Sequence, residues 1–297
     1  MMYIILDLEW DNSYLPSKNR FINQILQIGA VKLNKDFEIL DTFEATIKSS
    51  FTKRVSGRFS RLTGITNETM RSGIPLETAV KAYNEWIGTD TVTMTWSTSD
   101  LFSIIDNEKL LLNNLRFKID KYLDLQSFIQ NEIRMMGVEI TSQISLLNAA
   151  NILKITADEL SLHSAKYDSL LCAALLKKCY QKERFEAMIK DTSNPEFFER
   201  LCFKPYYISD IKSGNINKEH MKFNCDICGS KGIRKSKWRY RNRWFVADFF
   251  CKKCSREFSG RVSFKKTYDN LIVKRKICEV KKKEEGQDEV QSVSSPL

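Results

Sequence analysis

Met2-Tyr-Ile-Ile-Leu-Asp7-Leu-Glu9-Trp10 is an apolar run that ends in two acids. Tyr3 to Leu8 is rich in Ile, Leu and Tyr, the composition of a buried strand. On a strand, residues i and i+2 share a face. Asp7 and Glu9 therefore project together, with Leu6, Leu8 and Trp10 on the other side. Carboxylates in apolar surroundings are costly unless a positive charge meets them. Hard oxygen ligands suit Mg²⁺ or Mn²⁺ rather than a soft metal. A pair of such ions is a known device for phosphodiester cleavage. Two carboxylates cannot hold two ions, so further acids must arrive from elsewhere in the chain.

Three later residues can supply what is missing. Asp100 closes Thr95-Trp-Ser-Thr-Ser-Asp100, after a second β-type run over Thr91–Trp96. Asp168 opens the helical spacing of Leu170, Leu171, Ala174 and Leu175. His163 lies just ahead, placed to reach a water held by the metals. Near neutral pH a histidine can take a proton from water, as a general base must. Plainer readings exist for each. Asp-x-Glu can mark an edge strand with one wet face, Asp100 can cap a helix over Leu101–Ile105, and His163 can be an ordinary histidine at a helix start. The apolar neighbours and the ordered partners favour the catalytic reading.

Taken in order, these motifs resemble the DEDDh branch of the DnaQ-like 3′→5′ exonucleases, proteins of ribonuclease-H-like fold. Asp7-Leu-Glu9 matches the first motif, Asp100 ends the second, and His163-x-Ala-x-x-Asp168 is the third. Lesser matches are Gln27-Ile-Gly-Ala-Val-Lys-Leu33, Leu62-Thr-Gly-Ile-Thr66 and Tyr122-Leu-Asp-Leu-Gln126. The resemblance spans residues 2–182. It implies an α/β fold, a mixed sheet flanked by helices. It implies that Asp7, Glu9, Asp100 and Asp168 bind two Mg²⁺ or Mn²⁺ ions and that His163 is the base. It places Gly64, Ile65 and Thr66 near the terminal nucleotide. Two departures stand out. Ser97 replaces the glycine of the Trp-Gly-x-x-Asp form seen in RNA-trimming members, and Trp10 stands where many members have threonine, as in a subgroup of bacterial exonucleases. Trp96 tilts the expectation toward RNA by resemblance, and Trp10 and Trp96 join the candidate substrate contacts.

The chain has 297 residues, a length suited to one large and one small domain. Its net charge of +10 is uneven: residues 1–200 hold 24 Lys+Arg against 26 Asp+Glu, and residues 201–297 hold 23 against 11. A basic C-terminal third points to an anionic partner, most often nucleic acid. No apolar run approaches the ~18 residues of a membrane helix, and the start lacks a signal-peptide pattern. A cytoplasmic protein with reduced thiols is expected, so cysteine spacing is read for metal first.

Cys225-Asp-Ile-Cys228 and Cys251-Lys-Lys-Cys254 have the spacing of a Cys₄ zinc ribbon. Four thiolates close a site, so one structural Zn²⁺ is expected there. Cys172, Cys179, Cys202 and Cys278 show no ligand spacing, and His220 is a surplus ligand at most. Between the knuckles, Arg234-Lys-Ser-Lys-Trp-Arg-Tyr-Arg-Asn-Arg-Trp244 alternates bases with aromatics. Arg239, Tyr240, Arg241 and Arg243 are the candidate nucleic-acid contacts, while inward packing of Trp238, Tyr240 and Trp244 is the alternative.

The expected organisation is an exonuclease domain over 1–185, a linker over 186–220, a basic ribbon over 221–275 and a charged, disordered tail over 276–297. The expected function is two-metal 3′→5′ hydrolysis of single-stranded RNA or DNA, RNA favoured, to nucleoside 5′-monophosphates. The alternatives are a non-catalytic nucleic-acid binder, and a nuclease whose ribbon docks a protein partner. No membrane association is expected.

Overall fold

In the computed structural model, which describes residues 1–112, 114–157 and 162–280, the opening apolar run is one part of a longer strand. β1 spans Met2–Leu15 and pairs antiparallel with β2 (Arg20–Leu33), which pairs antiparallel with β3 (Ile39–Thr46). Two short helices follow, α1 (Gly57–Thr63) and α2 (Asn67–Ser72), then α3 (Leu76–Ile87). β4 (Thr91–Thr95) lies parallel to β1. After α4 (Ser99–Leu111), β5 (Lys121–Asp124) lies parallel to β4. α5 (Leu125–Met135), α6 (Leu146–Ile152), α7 (Ala165–Cys179) and α8 (Lys182–Met188) precede β6 (Lys190–Asp191), which pairs antiparallel with β5. The sheet order is β3-β2-β1-β4-β5-β6, the mixed sheet expected. Among the described residues no helix is long and apolar enough to cross a membrane.

The period of two on β1 sorts its side chains as the sequence requires. Tyr3 and Ile5 pack with Val31, Val92, Met94 and Leu123 beneath α5, α7 and Phe185. Asp7 and Glu9 continue that face toward the start of α7. A register shift between Glu9 and Trp10 marks a bulge where the acids end and the hairpin continues. Bulges re-aim side chains beside functional sites.

The chain divides into two compact units, Met1–Glu199 and Arg200–Leu297. The expected linker over 186–220 is therefore corrected. β6 joins the first sheet, and Ile208 and Ile216 are buried in the second unit's own core. These isolated apolar residues lie among polar ones, too sparse to set a period.

In the second unit, β7 (Tyr206–Tyr207) pairs with β11 (Arg256–Lys266), and β8 (Ile233–Arg234) and β9 (Arg239–Arg241) pair with β10 (Trp244–Cys251). β10 and β12 (Leu271–Cys278) flank β11. The ribbon strands thus run past residue 275, and the expected tail begins no earlier than 279; residues 281–297 lie outside the described residues. Ser259 and Gly260 lie in the middle of β11. A Cβ at Gly260 would sit 2.8 Å from the Phe249 ring and 2.9 Å from Phe223, so glycine is there for close packing.

Candidate active site

Each acid is set in place by a specific local feature. Asp7 and Glu9 share the face of β1 that meets α7. Asp100 lies in the first turn of α4, after the Thr98 N-cap rather than as the cap itself. Its Oδ1 accepts the Leu8 backbone N–H at 3.1 Å, tying the helix to the strand between the two acids. Asp168 lies in the first turn of α7, where a helix N-terminus favours negative charge. Its Oδ2 accepts the His163 N–H at 3.2 Å. His163 is exposed and holds a left-handed φ of 66°, a strained conformation for a non-glycine residue. Glu9, His163 and Asp168 offer ligand atoms that all lie within 4.8 Å of one another.

The electrostatics of this cluster ask for cations. Burial, then repulsion from Asp100, Glu9 and Asp168, holds the Asp7 carboxyl well above the carboxylate range. Burial, then Asp168 and Asp100, pushes Glu9 up to about 8. Burial raises Asp100 to about 8 against the opposing bond from Leu8, and raises Asp168 to about 6. Among the described residues the buried Oδ1 of Asp168 has no hydrogen-bond partner. An orphaned carboxylate oxygen among mutually repelling acids fits a site for divalent metal, because metal charge reverses every one of these shifts.

The close approach of α7 to the sheet depends on Gly29, which the sequence presents as one apolar-strand residue among many. Gly29 pairs with Asp7 across β1 and β2. A Cβ there would lie 2.2 Å from the Ala165 carbonyl carbon and 2.3 Å from the Lys166 nitrogen. Ser169 Oγ donates to the Gly29 carbonyl at 3.3 Å, and the Ala165 N–H donates to Gln27 Oε1 at 3.2 Å. Gly29→Ala is expected to lift the start of α7 off the sheet, costing about 1–3 kcal/mol by overpacking. Asp168 would then move away from Asp7. Calorimetric titration with Mn²⁺ should show weakened binding; wild-type affinity with an unchanged melting temperature would refute this role.

Ser97 adopts φ 80°, the left-handed region that favours glycine, at the point where Ser replaces the Gly of the resembled motif. Its carbonyl accepts from the Tyr122 hydroxyl at 3.1 Å and from the Thr95 hydroxyl. The turn is thus held in the glycine-like form without the glycine. Trp96 packs against the core beside β4, so its ring is no free stacking platform. Trp10 is half-buried. Gly64 ends α1 at φ 72°, Ile65 is buried with Leu26, Phe59 and Met70, and Thr66 caps α2. What this loop offers a ligand is a wall, not the Ile65 side chain. A groove of about 470 Å³ runs between Arg61, Thr63 and Gly64 on one side and Leu162, Ser164 and Lys166 on the other. Lys166 is paired with Glu44 at 3.6 Å.

In the second unit Cys225, Cys228, Cys251 and Cys254 come together, their sulfurs all within 4.8 Å of one another. Cys225 and Cys254 lie 3.5 Å apart, and Cys228 and Cys251 3.4 Å. Backbone and hydroxyl donation from Ser230 brings the Cys228 thiol down to about 6. Four converging thiols with one already biased to thiolate suit a closed, soft-ligand metal site. His220 stands outside this cluster, beside Phe264. Of the expected ribbon contacts, Tyr240 and Arg241 are exposed, Arg239 pairs with Asp248 at 3.1 Å, and Arg243 stacks over Tyr207. Trp238 packs on the core.

Among curated proteins, none matches the chain. Among the solved structures similar in fold are cell-death related nuclease 4 and a 3′-exonuclease. The first is 18% identical with a TM-score of 0.51, over 60% of this chain and 62% of that one. The chain thus spans about three fifths of that nuclease's length. The second is 18% identical with a TM-score of 0.51, over 65% of this chain and 91% of that one. The model of the family RNase_T, described as exonuclease, matches residues 19–176, which include Asp100, His163 and Asp168. That match covers more than half of the sequence, and the chain belongs to the exonuclease family.

Proposed function

We propose that this exonuclease is of the DEDDh type and hydrolyses single-stranded nucleic acid from the 3′ end to nucleoside 5′-monophosphates. The carrying observation is the cluster of four acids with raised pKa and an orphaned Asp168 oxygen beside His163. Asp7, Glu9, Asp100 and Asp168 would hold two Mg²⁺ or Mn²⁺ ions. When bound, such a pair supplies Lewis-acid stabilisation to the attacking and leaving oxygens of the phosphodiester. His163, exposed and with a ring nitrogen within 4.8 Å of Glu9 and Asp168 oxygens, accepts the proton of the attacking water. The Gly64 wall and the groove beside Ser164 seat the terminal nucleotide.

RNA is the favoured substrate on the resemblance of the Trp96 motif. One solved structure of the same fold is a 3′-exonuclease that recognises a histone mRNA stem-loop. In the second unit Cys225, Cys228, Cys251 and Cys254 hold one structural zinc, and Arg239, Tyr240, Arg241 and Arg243 contact the incoming strand. A cytoplasmic setting would keep these thiols reduced.

End-labelled single-stranded RNA and DNA, each with Mg²⁺ or Mn²⁺, test the reading directly. Stepwise shortening from the 3′ end is expected, faster on RNA. His163→Ala should slow it by ~10²–10⁴-fold, the usual worth of a positioned base, with metal binding kept and partial recovery at higher pH. An unchanged rate at neutral pH would remove His163 from the mechanism.

A further inference from the structure

The segment between β3 and the end of α1 carries Lys48, Lys53, Arg54, Arg58 and Arg61 and no acid. All five side chains are exposed. Among the described residues none of them pairs with a carboxylate. Five like charges this close repel one another and weaken the fold that holds them together.

Yet the segment is pinned firmly. Ser49 Oγ donates to the buried Gln24 at 2.8 Å, and the Val55 N–H donates to Asn67 at 2.8 Å. Asp11, buried on β1, accepts the Ser56 N–H at 2.5 Å and the Ser56 hydroxyl at 2.8 Å. Phe59 is sunk into a small core with Leu26 and Met70. Asp11 thus serves the backbone and hydroxyl of Ser56, and among the described residues the five cations have no paired carboxylate. A self-repelling loop fixed by buried polar groups is preorganised for an anion that comes from outside.

The middle of this arc, at Ser56, and its Arg61 end are tied to elements of the candidate active site. Asp11 is two residues past Glu9 on the same strand, and Arg61 lines the groove that Ser164 and Lys166 close from the other side. Phe51 is half-buried and Phe59 buried, so the arc offers cations rather than an open ring face.

Resting on the exonuclease reading, we propose that this arc is the phosphate track of the catalytic unit. It grips the backbone of a single strand upstream of the scissile end, without regard to base sequence. Contacts to phosphate position a strand and carry no sequence information. An acidic protein partner is the competing occupant, and the continuity with the groove beside the acids favours the nucleic acid.

The test uses the full chain with Lys53→Gln, Arg54→Gln and Arg58→Gln combined. Binding of a long, mixed-sequence single strand is measured in chelator across a range of salt. At ~0.7 per lost contact on single strands, the log–log salt slope should shrink by about 2, and low-salt affinity should fall at least ~10-fold. Lys35→Gln with Lys109→Gln and Lys177→Gln removes the same charge from exposed sites elsewhere on the unit and should keep the slope. Matching melting temperatures confirm that both variants fold. An arc variant with the wild-type slope, or a control that loses as much, overturns the track while leaving the exonuclease intact. A wild type with no salt-dependent strand binding at all would overturn the track and the exonuclease reading together.

Discussion

Asp7→Asn and Asp168→Asn should each reduce 3′-end hydrolysis by at least ~10³-fold, because Lewis-acid stabilisation worth several kcal/mol goes with the metals. The same variants should be more heat-stable than the wild type in chelator at pH 8. The four acids have folded pKa values above their ordinary ones, with Glu9 and Asp100 at about 8 and Asp168 at about 6. Between the ordinary carboxylate range and those values, the folded chain binds more protons than the unfolded one. Stability therefore falls as pH rises through that window. In chelator the wild type should melt progressively lower from pH 4 to pH 8, and Mg²⁺ or Mn²⁺ should reverse the loss. Asp7→Asn removes the member that all the others repel, so its slope with pH should be shallower. A gain of 1 kcal/mol moves the melting point by about 2–4 °C in a unit of this size. Wild-type hydrolysis by either variant would break the metal assignment. A flat stability profile in chelator would show that the acids are not mutually strained.

Cys225→Ser combined with Cys251→Ser should unfold the second unit and leave the first standing. Structural zinc contributes on the order of 10–16 kcal/mol of binding energy at neutral pH, more than a small ribbon's core can replace. Circular dichroism should show loss of β signal, and limited proteolysis should cut after Glu199 and spare residues 1–199. Every acid and His163 lie in the first unit, so short oligonucleotides should still be hydrolysed at high enzyme concentration. Affinity for long strands should drop, with a smaller salt slope. A slope remaining after ribbon loss is the share carried by the arc on the first unit. Equal affinity with and without the ribbon would favour protein docking as its role.

Most of the candidate metal acids are legible because they sit in a pattern with a physical period. Asp7 and Glu9 follow from strand alternation, Asp168 from the helical spacing after it, and the four cysteines from knuckle spacing in a reducing chain. The mixed sheet comes with them through the family resemblance. What escapes is whatever depends on shape rather than on period. Gly29 looks like a strand residue until α7 lies against it. Ser97 looks like a lost glycine, though its backbone keeps the glycine conformation. The stretch over 186–220 looks like a linker because a two-residue strand and single buried residues such as Ile216 generate no repeat. The basic arc is hidden by arithmetic: the first 200 residues are nearly neutral in total, while five of their cations are gathered between Lys48 and Arg61.

The contact at Gly29 also bears on when the proposed site can be completed. The bond from Ala165 to Gln27 joins positions 138 residues apart. Such long-range contacts form late, after the entropy of closing a large loop has been met. A chain emerging from the ribosome presents Asp7, Glu9 and the β1–β2 hairpin first, with no partner for them. Until α7 has been made and has settled on Gly29, the nascent protein holds Asp7, Glu9 and Asp100 without Asp168, and without the Asp168 carboxylate that accepts the His163 N–H. The proposed activity is thereby withheld until the last element of its site is in place.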